Sequence, residues 1–115
     1  MSDQCLFCRI VAGAIPATVV RDDTDTLAFR DVDPKAPVHV LVIPKAHHPD
    51  AAAVLAADPG LLASIYATAV AVAQDEGVAE SGYRAVFNTG PDGGQTVHHA
   101  HLHLLGGRHL AWPPG

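Results

Sequence analysis

The chain has 115 residues, which suits one compact domain able to bury a core without disulfide staples. It is 49% apolar and carries a formal charge of −5, and its seven lysines and arginines are scattered, which argues against nucleic acid or anionic lipid as a partner. No apolar run approaches the ~20 residues of a membrane span. The opening MSDQCLFC has no basic stretch ahead of an apolar core, so the expected location is the cytoplasm.

In chain order, residues 5–11 predict a short helix ending at Gly13, and Ile15-Pro16 a turn entry. Residues 18–21 and 26–30 predict two short strands joined by Asp22-Asp23-Thr24-Asp25. Residues 38–43, between Pro37 and Pro44, are a nearly continuous apolar run and predict a strand buried on both faces. Asp50 can cap a short alanine-rich helix. Asp58-Pro59 starts the main helix, with Leu62, Ile65, Ala69, Val72 and Ala73 as its apolar stripe and Gly77 at its end. Residues 83–88 predict a strand, 89–95 a glycine-rich loop, and 98–105 the last strand. Strands do not alternate regularly with helices. The expected class is therefore α+β, a single domain over 1–115 with a mainly antiparallel sheet of about five strands, one long helix and one or two short ones.

The chain holds eight histidines, four of them at 98, 99, 101 and 103. On a strand, side chains two apart share a face. His99, His101 and His103 are thus expected to project from one side, with Ala100, Leu102 and Leu104 packing on the other. Three aligned polar rings are poorly explained by structure alone, because buried imidazoles need partners. Two neighbours could share a metal, but the outer two are ~13 Å apart at strand rise, too far for one ion. A line of imidazoles suits attack on phosphorus. Neutral imidazole is nucleophilic at neutral pH, and a neighbour can donate a proton to the leaving group. The preceding Asp92-Gly93-Gly94-Gln95-Thr96 fits, since glycines let backbone N–H groups approach phosphate oxygens.

The sequence His99-Ala100-His101-Leu102-His103-Leu104-Leu105 resembles the motif of the histidine-triad (HIT) family, His-φ-His-φ-His-φ-φ with φ apolar. Supporting stretches are CLFCRIVAG-IP, LAFRDVDPKAPVHVLVIPKAHH, NTGPDGGQTV and GGRHLAWPPG, the last resembling the nucleotide-binding, adenosine phosphoramidase branch. The resemblance implies a homodimer with joined sheets and a purine nucleotide of AMP type bound at the triad. It implies hydrolysis of a P–N or related bond with no cofactor needed for the chemistry. It assigns His101 as the nucleophile, His103 and Thr96 to the phosphate and leaving group, His99 to orienting His101, and His39 to the phosphate. Asp31 would hold the ribose, and Phe7, Ile10, Ile15 and Val32 the base. Asn88, Gly94 and Gln95 would complete the phosphate site, and Trp112, on the tail 106–115, would reach toward the partner subunit. His98 stands where relatives commonly carry an aromatic, and by strand parity it is expected to affect packing.

Cys5 and Cys8 lie three apart, and a cytoplasmic disulfide is not expected. They could be buried thiols, a redox pair, or half of a zinc site. The resemblance supplies His47 and His99 as the other zinc ligands, giving a closed structural site. Bland readings stand beside the functional ones: Asp31 as a turn cap, Trp112 as packing, His39 as a satisfied core histidine. The competing functions are a non-catalytic nucleotide-binding adaptor and a zinc-dependent hydrolase using His99 and His101 as ligands.

Overall fold

Every residue of Val38–Pro44 is buried, and the rest of the molecule is arranged to cover this strand. The computed structural model describes residues 4–115. In chain order the elements are α1 (Leu6–Val11), β1 (Val19–Asp22), β2 (Thr26–Arg30), β3 (Val38–Pro44), α2 (Ala51–Ala57), α3 (Pro59–Asp75), β4 (Tyr83–Phe87) and β5 (Leu102–Gly106). The spatial order is β1-β2-β3-β5-β4, and each adjacent pair is antiparallel. The expected α+β class, with about five antiparallel strands, one long helix and two short ones, is what forms. Among the described residues no helix is long and apolar enough to cross a membrane.

The period of two along β3 and β5 gives the sheet two different covers. Val38, Val40, Val42, Leu102 and Leu104 pack with Ile65, Ala69 and Val72 of α3 in one cluster. Leu41 and Ile43 face the other way, toward Leu27, Phe29 and Phe7 of α1. Burying each such aliphatic side chain stabilises the fold by roughly 1.5–3 kcal/mol. His39, on the parity of Leu41, and His103, which pairs with Leu41 in register, therefore belong to the α1 side.

Local chemistry fixes the helix ends. Asp58 accepts the Leu61 N–H at 3.2 Å, Pro59 opens α3, and Gly77 follows its end at φ 76°. The buried stripe is Leu61, Ile65, Thr68, Ala69, Val72 and Ala73, with Leu62 only partly covered. Thr68 is the polar member: its hydroxyl donates to Asp23 Oδ2 at 3.3 Å and accepts from Thr26 at 2.7 Å. Helix α1 is too short to hold itself. Its first turn is capped by Cys5 Sγ, which accepts the Cys8 N–H at 3.3 Å, and Phe7 anchors it in the sheet.

The last strand differs from expectation. It starts at Leu102, so His99 and His101 precede it. The Ala100 N–H donates to the His48 carbonyl at 2.7 Å instead of joining a ladder. That bond pulls the lead-in out of the sheet, so the alternation still buries Ala100 but fails for the ring of His99. His98 is consequently exposed in a bend and packs on nothing in the core, contrary to the parity expectation.

Candidate active site

A cavity of about 600 Å³ opens beside α1, with Phe7, Ile10, Ile15 and Val32 on its walls, His101 and His103 at its inner end and the exposed Thr96 on its rim. Leu6, Phe29, Leu41 and Val97 also line it, and nothing in their type or spacing separates these four from other apolar residues of the chain. Phe7 meets the His101 ring edge-on at 5.1 Å and Phe29 at 5.5 Å, so the wall of this cavity and the support of His101 are the same side chain. A second cavity of about 430 Å³ lies on the other side of His103, bordered by His39, Asn88, Lys35, Arg84 and Arg108. Asp31 and His103 line both.

Hydrogen bonds assign the ring protons. Nδ1 of His101 is 2.7 Å from the His99 carbonyl oxygen, which can only accept. His101 therefore carries its proton on Nδ1, and Nε2 holds the lone pair. The Lys35 N–H donates to Nδ1 of His39 at 3.0 Å, so neutral His39 is protonated at Nε2. That nitrogen lies 2.9 Å from Nδ1 of His103, which leaves the proton of His103 on Nε2. One side of the pair thus presents a lone pair and the other a donor. The rings of His101 and His103 are 4.9 Å apart.

Burial holds these imidazoles neutral. It pushes His101 below the usual histidine range against the opposing pull of the His99 carbonyl and Asp31. His39 is lowered by burial, with Asp31 opposing. His103 falls to about 4, through burial and then its neighbours His101 and His39. Asp31 does two things at once. Oδ1 accepts the Asp33 N–H at 2.8 Å, the turn cap, and Oδ2 lies 3.4 Å from Nε2 of His39.

His99 does not share a face with the other two. Its fully buried ring turns away: Nε2 donates to the Pro44 carbonyl at 2.8 Å, and Nδ1 lies 3.4 Å from Cys5 Sγ, 3.5 Å from Cys8 Sγ and 3.2 Å from His47 Nδ1. His47 Nδ1 is in turn 3.2 Å from Cys8 Sγ. The four donor atoms all lie within 4.8 Å of one another. Tetrahedral zinc with ~2.0–2.3 Å bonds spaces its ligands ~3.3–3.8 Å apart, so this Cys₂His₂ set fits a closed structural ion. The lone pair forced onto Nδ1 of His99 by Pro44 points the same way. Asp31, His39 and His103 also cluster, but their bonds from Lys35 onward form a proton chain with Nε2 of His39 protonated, which a metal there would have to break. The lone pair of His99 on Nδ1 serves the Cys5, Cys8 and His47 set, whereas that of His101 sits on Nε2 at the cavity, so the two rings offer their lone pairs to different places. The link from His99 to His101 runs through the His99 backbone carbonyl.

The glycine loop also works differently. The amides of Gly94 and Gln95 donate to Pro91 and Gly90 carbonyls, and the Gly90 N–H goes to Gln95 Oε1. Both protons of the Gln95 amide are committed, to the Pro49 and Val97 carbonyls. Gln95 and Gly94, expected at the phosphate, build a closed turn that sets Thr96 on the cavity rim, and neither lines either of the two cavities. Asn88 lines only the second one. Trp112 is 83% exposed and lines neither.

Comparison with known proteins identifies the family. The model of the HIT domain matches residues 12–110. A HIT family hydrolase from Legionella pneumophila superposes with a TM-score of 0.94 at 55% identity, over 97% of this chain and 100% of that one. Two plant proteins are 46% identical over 112 residues, 96% of this chain. They are a 14 kDa zinc-binding protein of Zea mays, 87% of which is covered, and adenylylsulfatase HINT1 of Arabidopsis thaliana, 76% of which is covered. The chain belongs to the HIT family.

Proposed function

We propose that the protein is a nucleotide-binding hydrolase that cleaves the P–N or a related bond at the α-phosphate of purine nucleoside phosphoramidates. The observation that carries this reading is the proton placement. The His99 carbonyl leaves Nε2 of His101 with a lone pair beside a His103 whose own proton sits on Nε2. The apolar cavity takes the purine against Phe7, Ile10, Ile15 and Val32, and Asp31 accepts from the ribose.

In the first step Nε2 of His101 attacks phosphorus, a P–N bond forms to the ring, and the bond to the leaving amine breaks. The departing amine takes its proton from solvent, while the Nε2–H of neutral His103 and the Thr96 hydroxyl donate hydrogen bonds to the phosphate and the leaving group. In the second step water attacks the nucleotidyl-histidine. The P–N bond to His101 breaks, AMP or its like is released, and the proton of water passes to solvent, which balances the one taken up by the amine. No cofactor enters either step. The zinc that the Cys5, Cys8, His47 and His99 set fits would act structurally, since all four positions are filled by protein ligands; that the maize relative is named a zinc-binding protein supports the ion itself. The outer edge of β4 joins no strand among the described residues, which supports a homodimer formed there with the tail 106–115, and Trp112 on it, directed at the partner.

The test is intact-mass analysis after rapid quenching with an adenosine 5′-phosphoramidate, with the adduct mapped by fragmentation. One adenylyl group on His101 is expected. AMP binding with neither adduct nor turnover would favour the adaptor, and an adduct on another residue would overturn the assignment.

A further inference from the structure

His99 is used twice, and the two uses are joined by one peptide group. Its ring contributes Nδ1 to the Cys5, Cys8 and His47 set. Its carbonyl fixes the proton of His101 at 2.7 Å. The same peptide is gripped from its other end, because the Ala100 N–H donates to the His48 carbonyl at 2.7 Å. His48 follows His47 in the chain, so the segment that supplies one ligand also supplies the acceptor that orients the peptide. On the opposite side, α1 carries Cys5 and Cys8 around Phe7, whose ring edges both His99 at 5.9 Å and His101 at 5.1 Å.

We propose that His47 is a positioning residue for the nucleophile: bound in one metal site with His99, it locks the His99–Ala100 peptide and so holds His101 with its proton on Nδ1. The inference rests on the reading of His101 as nucleophile, but its physical core is the coupling between the Cys/His set and the orientation of one ring. Nothing in the chemistry passes through the metal. Without it, the ring of His99 keeps the Pro44 bond and weak thiol contacts, the 47–48 segment keeps only the Ala100 bond, and the peptide is freer to tilt. His101 then loses the acceptor that selects its tautomer. A misplacement of that kind reduces the rate of the chemical step more than it weakens binding of the nucleotide.

The experiment uses the full chain labelled with ¹⁵N-histidine, in the zinc-loaded and chelator-stripped forms, with His47→Ala and His47→Cys as variants. The His101 signals are assigned by their disappearance in His101→Asn. In the loaded protein His101 is expected as a single Nδ1–H tautomer. Stripping, or His47→Ala, gives a tautomer mixture. The first-turnover rate then falls between about tenfold and 100-fold, while AMP affinity changes by less than about threefold. His47→Cys, which keeps a four-ligand set, restores zinc, tautomer and rate together. If His47→Ala fails to fold, the stripped wild-type protein carries the comparison. A stripped protein that keeps the single Nδ1–H tautomer, or a wild-type protein that takes up no zinc, overturns the proposal. If no form shows nucleotidyl transfer, the hydrolase reading fails by itself and the tautomer signal still decides the coupling.

Discussion

Nε2 of His39 donates to Nδ1 of His103 across 2.9 Å, and the backbone N–H of Lys35 fixes that direction by occupying the other nitrogen of His39. A buried histidine on an apolar strand thereby sets which nitrogen of a neighbouring strand's histidine carries a proton. Replacing it, His39→Ala, frees His103 to hold its proton on either nitrogen. The expected result is a fall in kcat of about tenfold or more with KM changed little. Steady-state kinetics on an adenosine phosphoramidate measures both, and a rise in KM alone would show that His39 only binds.

Acidity offers a second test. His103 is pushed down to about 4, and His39 and His101 are also lowered. The acid limb of kcat/KM is therefore expected below the ordinary histidine value of ~6.5, with the rate level from there to about pH 8. Stability follows the same sign. In the unfolded chain these rings take protons near pH ~6.5, while in the folded protein His103 resists until the pH nears 4 and His39 and His101 also take theirs below the ordinary value, so the unfolded state binds more protons in between. Their contribution is complete above the unfolded value and is lost as pH falls through the folded one. Urea unfolding at about pH 7.5 and about pH 5 should show the lower midpoint at the more acid pH.

Gly93 has no room for a side chain. A Cβ there would lie 2.5 Å from the Thr89 carbonyl oxygen and 3.0 Å from the Thr89 nitrogen, both backbone atoms that cannot swing away. Gly93→Ala should open the turn that carries Thr96 to the cavity rim, lower stability by roughly 1–3 kcal/mol and weaken AMP binding. Thermal melts and calorimetric titration measure the two effects, and an unchanged affinity would detach the loop from the nucleotide site.

The hydroxyl pair under α3 predicts a change confined to stability. Thr68→Val strands the buried Thr26 hydroxyl that donates to it and removes a bond to Asp23. The expected loss is about 1–3 kcal/mol with kinetics unaltered. Adding Thr26→Val should be less damaging than the sum of the two single changes, since it removes the stranded group.

How much of this was legible in the sequence follows from what each signal encodes. The apolar run at 38–43 announced a strand covered on both sides, and Asp58-Pro59 announced the start of α3, because both depend on neighbours in the chain. The alternation at 99–103 correctly placed Ala100, Leu102 and Leu104 in the core, yet misplaced His99. Its ring answers to Cys5, Cys8 and His47, and its peptide to His48, all remote in sequence. The glycines of 90–94 signalled a turn, but not that its amides close on themselves. The contacts that assign protons to His39, His99 and His101 come from backbone groups of Lys35, Pro44 and His99, which no side-chain pattern records.

The neutrality of His103 also has a thermodynamic consequence for ligand binding. A phosphate arriving beside it supplies the negative charge that burial had denied, and raises the affinity of the ring for hydrogen ions. Complex formation in mildly acid solution is then accompanied by uptake from the buffer. The heat released on mixing will vary with the ionisation enthalpy of that buffer, and the nucleotide will be retained more tightly as the medium acidifies.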